Sequence, residues 1–302
     1  MKKILSLLLA LCLLFFCVPC HGEEVNLVAS FYPIYIFARN LLEGVPGVSL
    51  SCMTSPSTGC LHDYQLLTGD MRLLSRADAL LINGAGMEGF LPAVSAQLKD
   101  LQVVDASAGI SLLCSEEGHQ HSHDEEKQHS HGEYNAHIWL SPKNAVRMVQ
   151  NLADGLAGLL PGEGEKIQAN AAAYTARLEA QDRALADALA PYAHREIVTF
   201  HDSFPYFAKS YDLHIASVVS LEPNEPLSPR MLTGVIRTIT EKGNPPLFAE
   251  PQYHSAALDT ISRETGAPVF VLDTLATGPD SLTAYEDAMQ YNLQVLLEAL
   301  QP

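Results

Sequence analysis

The stretch Gly164–Leu189, GEKIQANAAAYTARLEAQDRALADAL, has no internal Gly or Pro and is rich in Ala, Leu, Glu, Gln and Arg. Those residues lose little on entering a helix. One helix over the whole stretch would be ~35–40 Å long at 1.5 Å per residue. Pro161 and Pro191 punctuate its ends. The same composition suits an ordinary surface helix, but this one lies between two stretches that share another rhythm, and there it reads as a stiff strut.

On its N-terminal side, Val25 to Ala29, Val48 to Met53, Ala79 to Ile82 and Gln102 to Val104 are short apolar runs. Helical patterns separate them, near Ile34 to Leu42, Tyr64 to Ser75 and Phe90 to Leu98. On its C-terminal side the runs are Ile197 to Phe200, Ile215 to Val219, Leu247 to Ala249 and Val269 to Leu272. Their helical companions are Phe204 to Lys209, Pro229 to Lys242, Ser255 to Thr265 and Leu282 to Leu300. Strands spaced by helix-length segments predict βαβ units and parallel sheets. Short, wholly apolar strands predict sheets covered by helices on both faces. The predicted fold is α/β: two pseudo-symmetric lobes, each with a mainly parallel four-stranded sheet, joined by one long rigid helix. The lobes are expected over residues 23–160 and 194–302, with the linking helix over 161–193.

The chain begins with Lys2 and Lys3, an apolar run from Ile4 to Val18, then Pro19, small or polar residues, and Glu23 and Glu24. This order predicts a secretory signal peptide over residues 1–22; the run is shorter than the ~20 apolar residues a membrane span takes. Cys20 invites a lipid-anchor reading, but Pro19 before it fits a lipid-attachment site poorly, and a soluble periplasmic or cell-surface protein is expected. The remaining chain of about 280 residues suffices for two lobes. The formal charge of −17 disfavours nucleic acid and anionic headgroups as partners. Of the six cysteines, Cys52, Cys60 and Cys114 follow the predicted signal. Three pairings are open, and a Cys52–Cys60 disulfide is expected on closeness.

Glu116 to Glu133 fits no packed core. It carries His119, His121, His123, His129 and His131 among Glu117, Asp124, Glu125 and Glu126. With almost no apolar side chain to offset its ordering entropy, it is predicted to be a mobile loop.

Four donors stand at strand ends or beside turns. His62 follows Gly59-Cys60-Leu61, and His137 sits in Asn135-Ala136-His137-Ile138-Trp139 before Ser141-Pro142. His201 directly follows the strand Ile197 to Phe200, and Asp273 ends the strand Val269 to Leu272. In open α/β sheets, ligands bind at the carboxyl ends of strands. A single histidine after a strand is more often a hydrogen-bonded structural residue, so no one of the four decides the matter.

Taken together, several stretches resemble one family. They are His62-Asp63-Tyr64 with Asp70 downstream, His137-Ile138-Trp139-Leu140-Ser141-Pro142, Val198-Thr199-Phe200-His201-Asp202-Ser203-Phe204, Glu225-Pro226-Leu227-Ser228-Pro229, Phe248-Ala249-Glu250-Pro251-Gln252 and Leu272-Asp273. In this order they resemble the cluster A-I solute-binding proteins of metal ABC importers, in particular the ZnuA-like zinc group. The resemblance implies one ion held between the lobes by His62 and His137 from the first and His201 and Asp273 from the second. Glu250 is the alternative if Asp273 is not a donor, because the Pro common after this Asp is missing from Leu272-Asp273-Thr274-Leu275. Three imidazoles and one carboxylate suit Zn2+, and the manganese-specific relatives carry Glu where this chain has His201. The resemblance further implies an ABC permease as partner, a monomer, and transport rather than catalysis. The histidine-rich segment resembles an insertion in the zinc members; it reads either as an auxiliary low-affinity zinc collector or as a solvated loop that binds metal incidentally. Two other classes compete: a secreted zinc-dependent hydrolase, which needs an open metal position and a nearby base, and a zinc buffer or adhesin that meets no transporter.

Overall fold

The computed structural model describes residues 24–54, 64–114, 134–219, 228–251 and 256–301. In chain order its first half runs β1 (Val25–Ala29), α1 (Tyr32–Leu41), β2 (Val48–Cys52), α2 (Thr68–Leu74), β3 (Ala79–Ile82), α3 (Leu91–Gln97), β4 (Gln102–Asp105), a 3-10 turn (Ile138–Leu140) and α4 (Pro142–Leu159). The long helix α5 (Gly164–Leu189) and a short 3-10 turn (Ala190–Tyr192) follow. The second half is β5 (Glu196–Thr199), α6 (Pro205–Ser210), β6 (His214–Val218), α7 (Pro229–Glu241), β7 (Leu247–Ala249), α8 (Ala256–Thr265), β8 (Val269–Val271) and α9 (Ala284–Ala299).

Each half holds one four-stranded sheet, in the orders β2-β1-β3-β4 and β6-β5-β7-β8. Every pairing is parallel. The second order repeats the first strand for strand, so β1 and β3 are the central pair of one lobe and β5 and β7 that of the other.

Side chains alternate across a strand, and the alternation sorts the apolar residues into separate cores. Leu27, Ala29, Ala79 and Leu81 of the first sheet, with Ile197 and Phe248 of the second, face one large core. Val28, Leu80 and Ile82 turn to the opposite face and pack with Leu74, Phe90 and Val94. Val198, Leu247 and Ala249 likewise pack outward with Ile239, Leu258 and Ile261. The large core also takes in Trp139, Leu152, Tyr174, Leu178, Phe207 and Tyr285. It is therefore continuous from one sheet to the other.

This continuity changes the picture of the linking helix. Helix α5 buries Ile167, Ala171, Tyr174, Leu178, Leu185 and Leu189 along one stripe. It packs closely on α4, touches α1, and receives α9 from the far end of the chain. Arg177 on α5 forms an ion pair with Glu286 on α9 at 2.9 Å and lies over the Tyr174 ring. The strut is thus embedded in the shared core. Helix α4, absent from the sequence reading, is the main surface it packs on. Its start was signalled by Ser141-Pro142: the Ser141 side chain accepts from Asn144 N, and Pro142 occupies the first turn, where no N–H is missed.

Hydrogen bonds stitch the halves together near the strand ends. The Tyr32 hydroxyl donates to the Pro279 carbonyl at 2.8 Å, and the Tyr285 hydroxyl to the Trp139 carbonyl at 2.8 Å. The Tyr206 hydroxyl donates to the Asn135 carbonyl at 2.7 Å and accepts from Leu113 N at 2.9 Å. Among the described residues, no helix is long and apolar enough to cross a membrane.

Candidate functional site

His137 opens the 3-10 turn that leads into α4 and is only 2% exposed. Its backbone N–H donates to Asn135 Oδ1 at 3.0 Å, and its Nδ1 lies 3.2 Å from the same oxygen. The Asn135 Nδ2 donates to the Asp202 carbonyl at 2.7 Å and to Asp202 Oδ2 at 3.0 Å. Both of those partners are acceptors, which fixes which way the Asn135 amide points. Its oxygen must then face His137, so Nδ1 carries the proton and Nε2 carries the lone pair. That is the tautomer a metal requires when it binds through Nε2.

His201 lies two residues beyond β5 and is 5% exposed. Its ring meets that of His137 edge to face, with centroids 5.0 Å apart. The Trp139 ring is 5.1 Å from His137 on another side. The Trp139 indole N–H crosses to the other half and donates to the Thr274 carbonyl at 2.9 Å. Thr274 follows Asp273. One buried indole therefore touches one candidate donor and holds the neighbour of another.

Asp273 is placed by α9. Its N–H donates to Asn292 Oδ1 and its carbonyl accepts from Asn292 Nδ2, both at 2.7 Å, and Asn292 is fully buried. The carboxylate accepts from Leu275 N at 2.7 Å, across a turn that puts Leu275 at φ 54°. Burial raises the Asp273 carboxyl above its ordinary value despite that bond. Glu250, directly after β7, is also buried, and its Oε1 accepts from Ser203 Oγ at 2.6 Å. Burial lifts Glu250 to about 7, with the negative charge of Asp273 adding to the shift.

Two of the four predicted donors, His137 and His201, are thus in ring contact across the two halves, and Asp273 is tied to them through Trp139 and through its charge on Glu250. His62 lies outside the described residues, as do His119, His121, His123, His129, His131 and Cys60. Among the described residues, no three donors gather in the geometry of a metal site. Tyr64, two residues beyond His62, donates to Asp70 Oδ2 at 2.8 Å, and the same oxygen accepts from Leu67 N at 2.7 Å at the start of α2. The histidine-rich segment leaves and re-enters at an antiparallel bridge between Cys114 and Tyr134. Cys52 and Cys114 are free thiols, so the expected Cys52–Cys60 disulfide is not formed in this structure. Burial pushes the Cys52 thiol up, and its sulfur lies 3.6 Å from the Thr54 hydroxyl, so its local environment holds it as a protonated thiol.

The sequence reading missed the polar frame around these donors: Asn135, Trp139, Asp202, Ser203 and Asn292. It also missed Glu88, which is 5% exposed and accepts from Ser30 Oγ, Asn83 N and Gly84 N. Burial lifts Glu88 from 4.5 to about 7 despite those three donors. A carboxyl raised on folding binds its proton more tightly in the folded state. The stability it contributes is complete below about 4.5 and is lost as pH rises through about 7, in total about 3 kcal/mol. Denaturation of the metal-free protein between pH 5 and 8 should therefore show Glu88→Gln gaining on the wild type as pH rises. Parallel curves would mean that the buried carboxyl does not titrate in this range.

Comparison with known proteins agrees with this arrangement. The family model described as ZnuA, zinc-uptake complex component A, periplasmic, matches residues 27–299. The zinc-binding lipoprotein AdcA of Streptococcus pneumoniae is 29% identical over 309 residues, covering 98% of this chain and 60% of its own length. The chain thus spans only about three fifths of such relatives. The high-affinity zinc uptake system protein ZnuA of Bacillus subtilis is 29% identical over 288 residues, covering 92% of this chain and 88% of its own length. A crystal structure of ZnuA superposes with a TM-score of 0.77 at 27% identity, over 92% of this chain and 100% of that one. Because the family match begins in β1, ends in α9 and encloses both sheets with His137, His201 and Asp273 between them, the chain belongs to the ZnuA family.

Proposed function

We propose that this chain is an extracytoplasmic zinc-binding protein that captures Zn2+ between its two lobes and delivers it to an ABC-type importer. The observation that carries the reading is the pair of buried imidazoles, His137 and His201, brought edge to face from opposite halves. Burying two rings of the same kind, each able to carry a positive charge, is costly when both are protonated. A divalent cation that takes up their lone pairs removes that conflict. The proposed donor set is His62, His137, His201 and Asp273, with Glu250 behind Asp273 as the substitute donor. Four protein donors close the coordination shell, which suits holding an ion rather than activating a water.

The continuous core and the cross-lobe hydrogen bonds support a cycle with small movements: capture, docking on the permease, and release. The proposal extends to a monomer exported by residues 1–22 and organised as lobes 23–160 and 194–302 around the helix region 161–193. The histidine-rich segment is proposed as an auxiliary collector of weaker affinity.

Zinc must displace protons from its imidazoles, so retention should fall as pH drops through the histidine range near ~6.5. Native mass spectrometry of the zinc-loaded protein should show one tightly held ion per chain at pH 7.5. After dialysis against a chelator, that ion should survive at pH 7.5 and be lost by about pH 5.5. Retention unchanged across that interval would contradict ligation by three histidines. Zinc-limited growth that fails on deletion of the protein and returns with the wild-type chain tests delivery to the importer.

A further inference from the structure

Each lobe contains the same buried pair in the same topological place. In the first, Ser30 follows β1 and its hydroxyl donates to Glu88 Oε1 at 2.7 Å. In the second, Ser203 lies beyond β5 and its hydroxyl donates to Glu250 Oε1 at 2.6 Å. The glutamates follow β3 and β7, the matching central partners of β1 and β5. All four side chains are almost fully buried.

What each pair holds lies next to a candidate donor. Glu88 Oε1 also accepts from Asn83 N at 2.8 Å, and Oε2 accepts from Gly84 N at 3.1 Å. This fixes the turn after β3, which Gly84 enters at φ 76° with no room for a Cβ beside Asp105. The Asn83 side chain then donates to the Gly84 carbonyl at 2.9 Å and to the Ala136 carbonyl at 3.0 Å. Ala136 is the residue before His137. In the other lobe, Ser203 is two residues after His201, and Glu250 holds its hydroxyl.

We propose that Glu88, through Asn83, is the positioning residue for His137, and that Glu250, through Ser203, plays the same part for His201. A buried carboxyl with this many donors is expensive to bury, and the hydrogen bonds within each lobe run from it towards a histidine. Outer partners of metal-binding residues commonly change affinity by about 10–100-fold when removed. The proposal rests on the zinc-binding reading above, and the experiment keeps the two separable.

The test is a double-mutant cycle on zinc affinity, measured by chelator competition at pH 7.5, with metal-free stability followed alongside. Glu88→Ala and Asn83→Ala should each weaken zinc binding by roughly 10-fold or more. If Glu88 acts through Asn83, the double variant should lose no more than the worse single variant. Glu88→Gln keeps an oxygen for both Ser30 and Asn83 and should restore affinity to within about 3-fold of wild type. Ser203→Ala leaves the Glu250 carboxylate intact and should still cost roughly 10-fold. The visible absorption of the cobalt-loaded Asn83→Ala protein should also change, because the angle of the His137 donor has moved.

Additive losses in the double variant, or lower metal-free stability with unchanged affinity and an unchanged cobalt spectrum, would overturn the positioning role. Should Glu88→Ala not fold, Asn83→Ala and Ser203→Ala carry the test, since both leave the carboxyls in place. His137→Ala, run in the same series, should lose far more than any of them. If it binds zinc like the wild type, the zinc site itself is wrong, whatever the positioning variants do.

Discussion

Replacing His201 with alanine should weaken zinc binding by on the order of 10³-fold while leaving a folded, metal-free protein. The magnitude follows from dividing the roughly 10–16 kcal/mol of a four-donor zinc site among its donors, about 3–4 kcal/mol each. The metal-free cost is smaller. The edge-to-face contact with His137 accounts for about 1 kcal/mol, and a small cavity in a site already 5% exposed brings the total to about 2 kcal/mol. Affinity and stability should therefore separate clearly in this variant.

Thermal unfolding gives a second reading of the same change. Zinc at 1,000 times its dissociation constant stabilises the wild type by about 4 kcal/mol. At roughly 2–4 °C per kcal/mol for a protein of this size, the uplift in Tm is about 8–16 °C. A 10³-fold weaker site reduces that uplift at the same zinc concentration to well under 2 °C. His214→Ala is the control, because His214 is exposed and lies 3.5 Å from Glu196 on the surface; its uplift should match the wild type. A full uplift in His201→Ala would remove His201 from the donor set and leave the ring contact with His137 as packing alone.

The difference between what the sequence disclosed and what it concealed has a physical origin. The eight strands were legible because each is a short apolar run, and an apolar run bounded by turns needs no partner to be recognised. His201 and Asp273 were legible for a related reason: a polar donor straight after such a run sits where sheets place ligands. Helix α4 was passed over although Ser141-Pro142 announces its start, because attention rested on the longer α5. The continuous core could not be read at all. Whether Leu27 and Val28 face the same or different cores depends on what stands opposite each face of the sheet, and that is settled by residues more than a hundred positions away, such as Tyr174 and Tyr285. Asn135, Ser203 and Asn292 were illegible for the same reason. Asn and Ser are at home in any turn, and their parts here are defined by partners 67, 47 and 19 positions distant in the chain.

Asn135 is the residue whose loss should be felt most widely after the donors themselves. Its single side chain, 4% exposed, meets His137 twice through Oδ1 and Asp202 twice through Nδ2. It joins the segment before one candidate donor to the residue after another, across the two halves. In Asn135→Ala the His137 N–H loses this acceptor and the Asp202 carboxylate loses this donor, both in a dry site. Leaving such buried groups with a partner removed costs about 1–3 kcal/mol apiece, so a net loss of about 3 kcal/mol is expected, or roughly 6 °C in the Tm of the metal-free protein. Zinc affinity should fall by a further 10–100-fold, because nothing then fixes the proton on Nδ1 of His137. Asn135→Asp separates the two parts of this argument. It keeps an acceptor for His137 but sets a carboxylate against Asp202, where the amide now stands 3.0 Å from Oδ2, and two like charges that close cannot both ionise. One proton must then be taken up on folding, so the Asn135→Asp variant should recover stability relative to wild type as pH is lowered from 8 to 5, whereas Asn135→Ala should run parallel to it. Equal pH profiles for the two variants would place Asn135 outside the contact that joins the lobes.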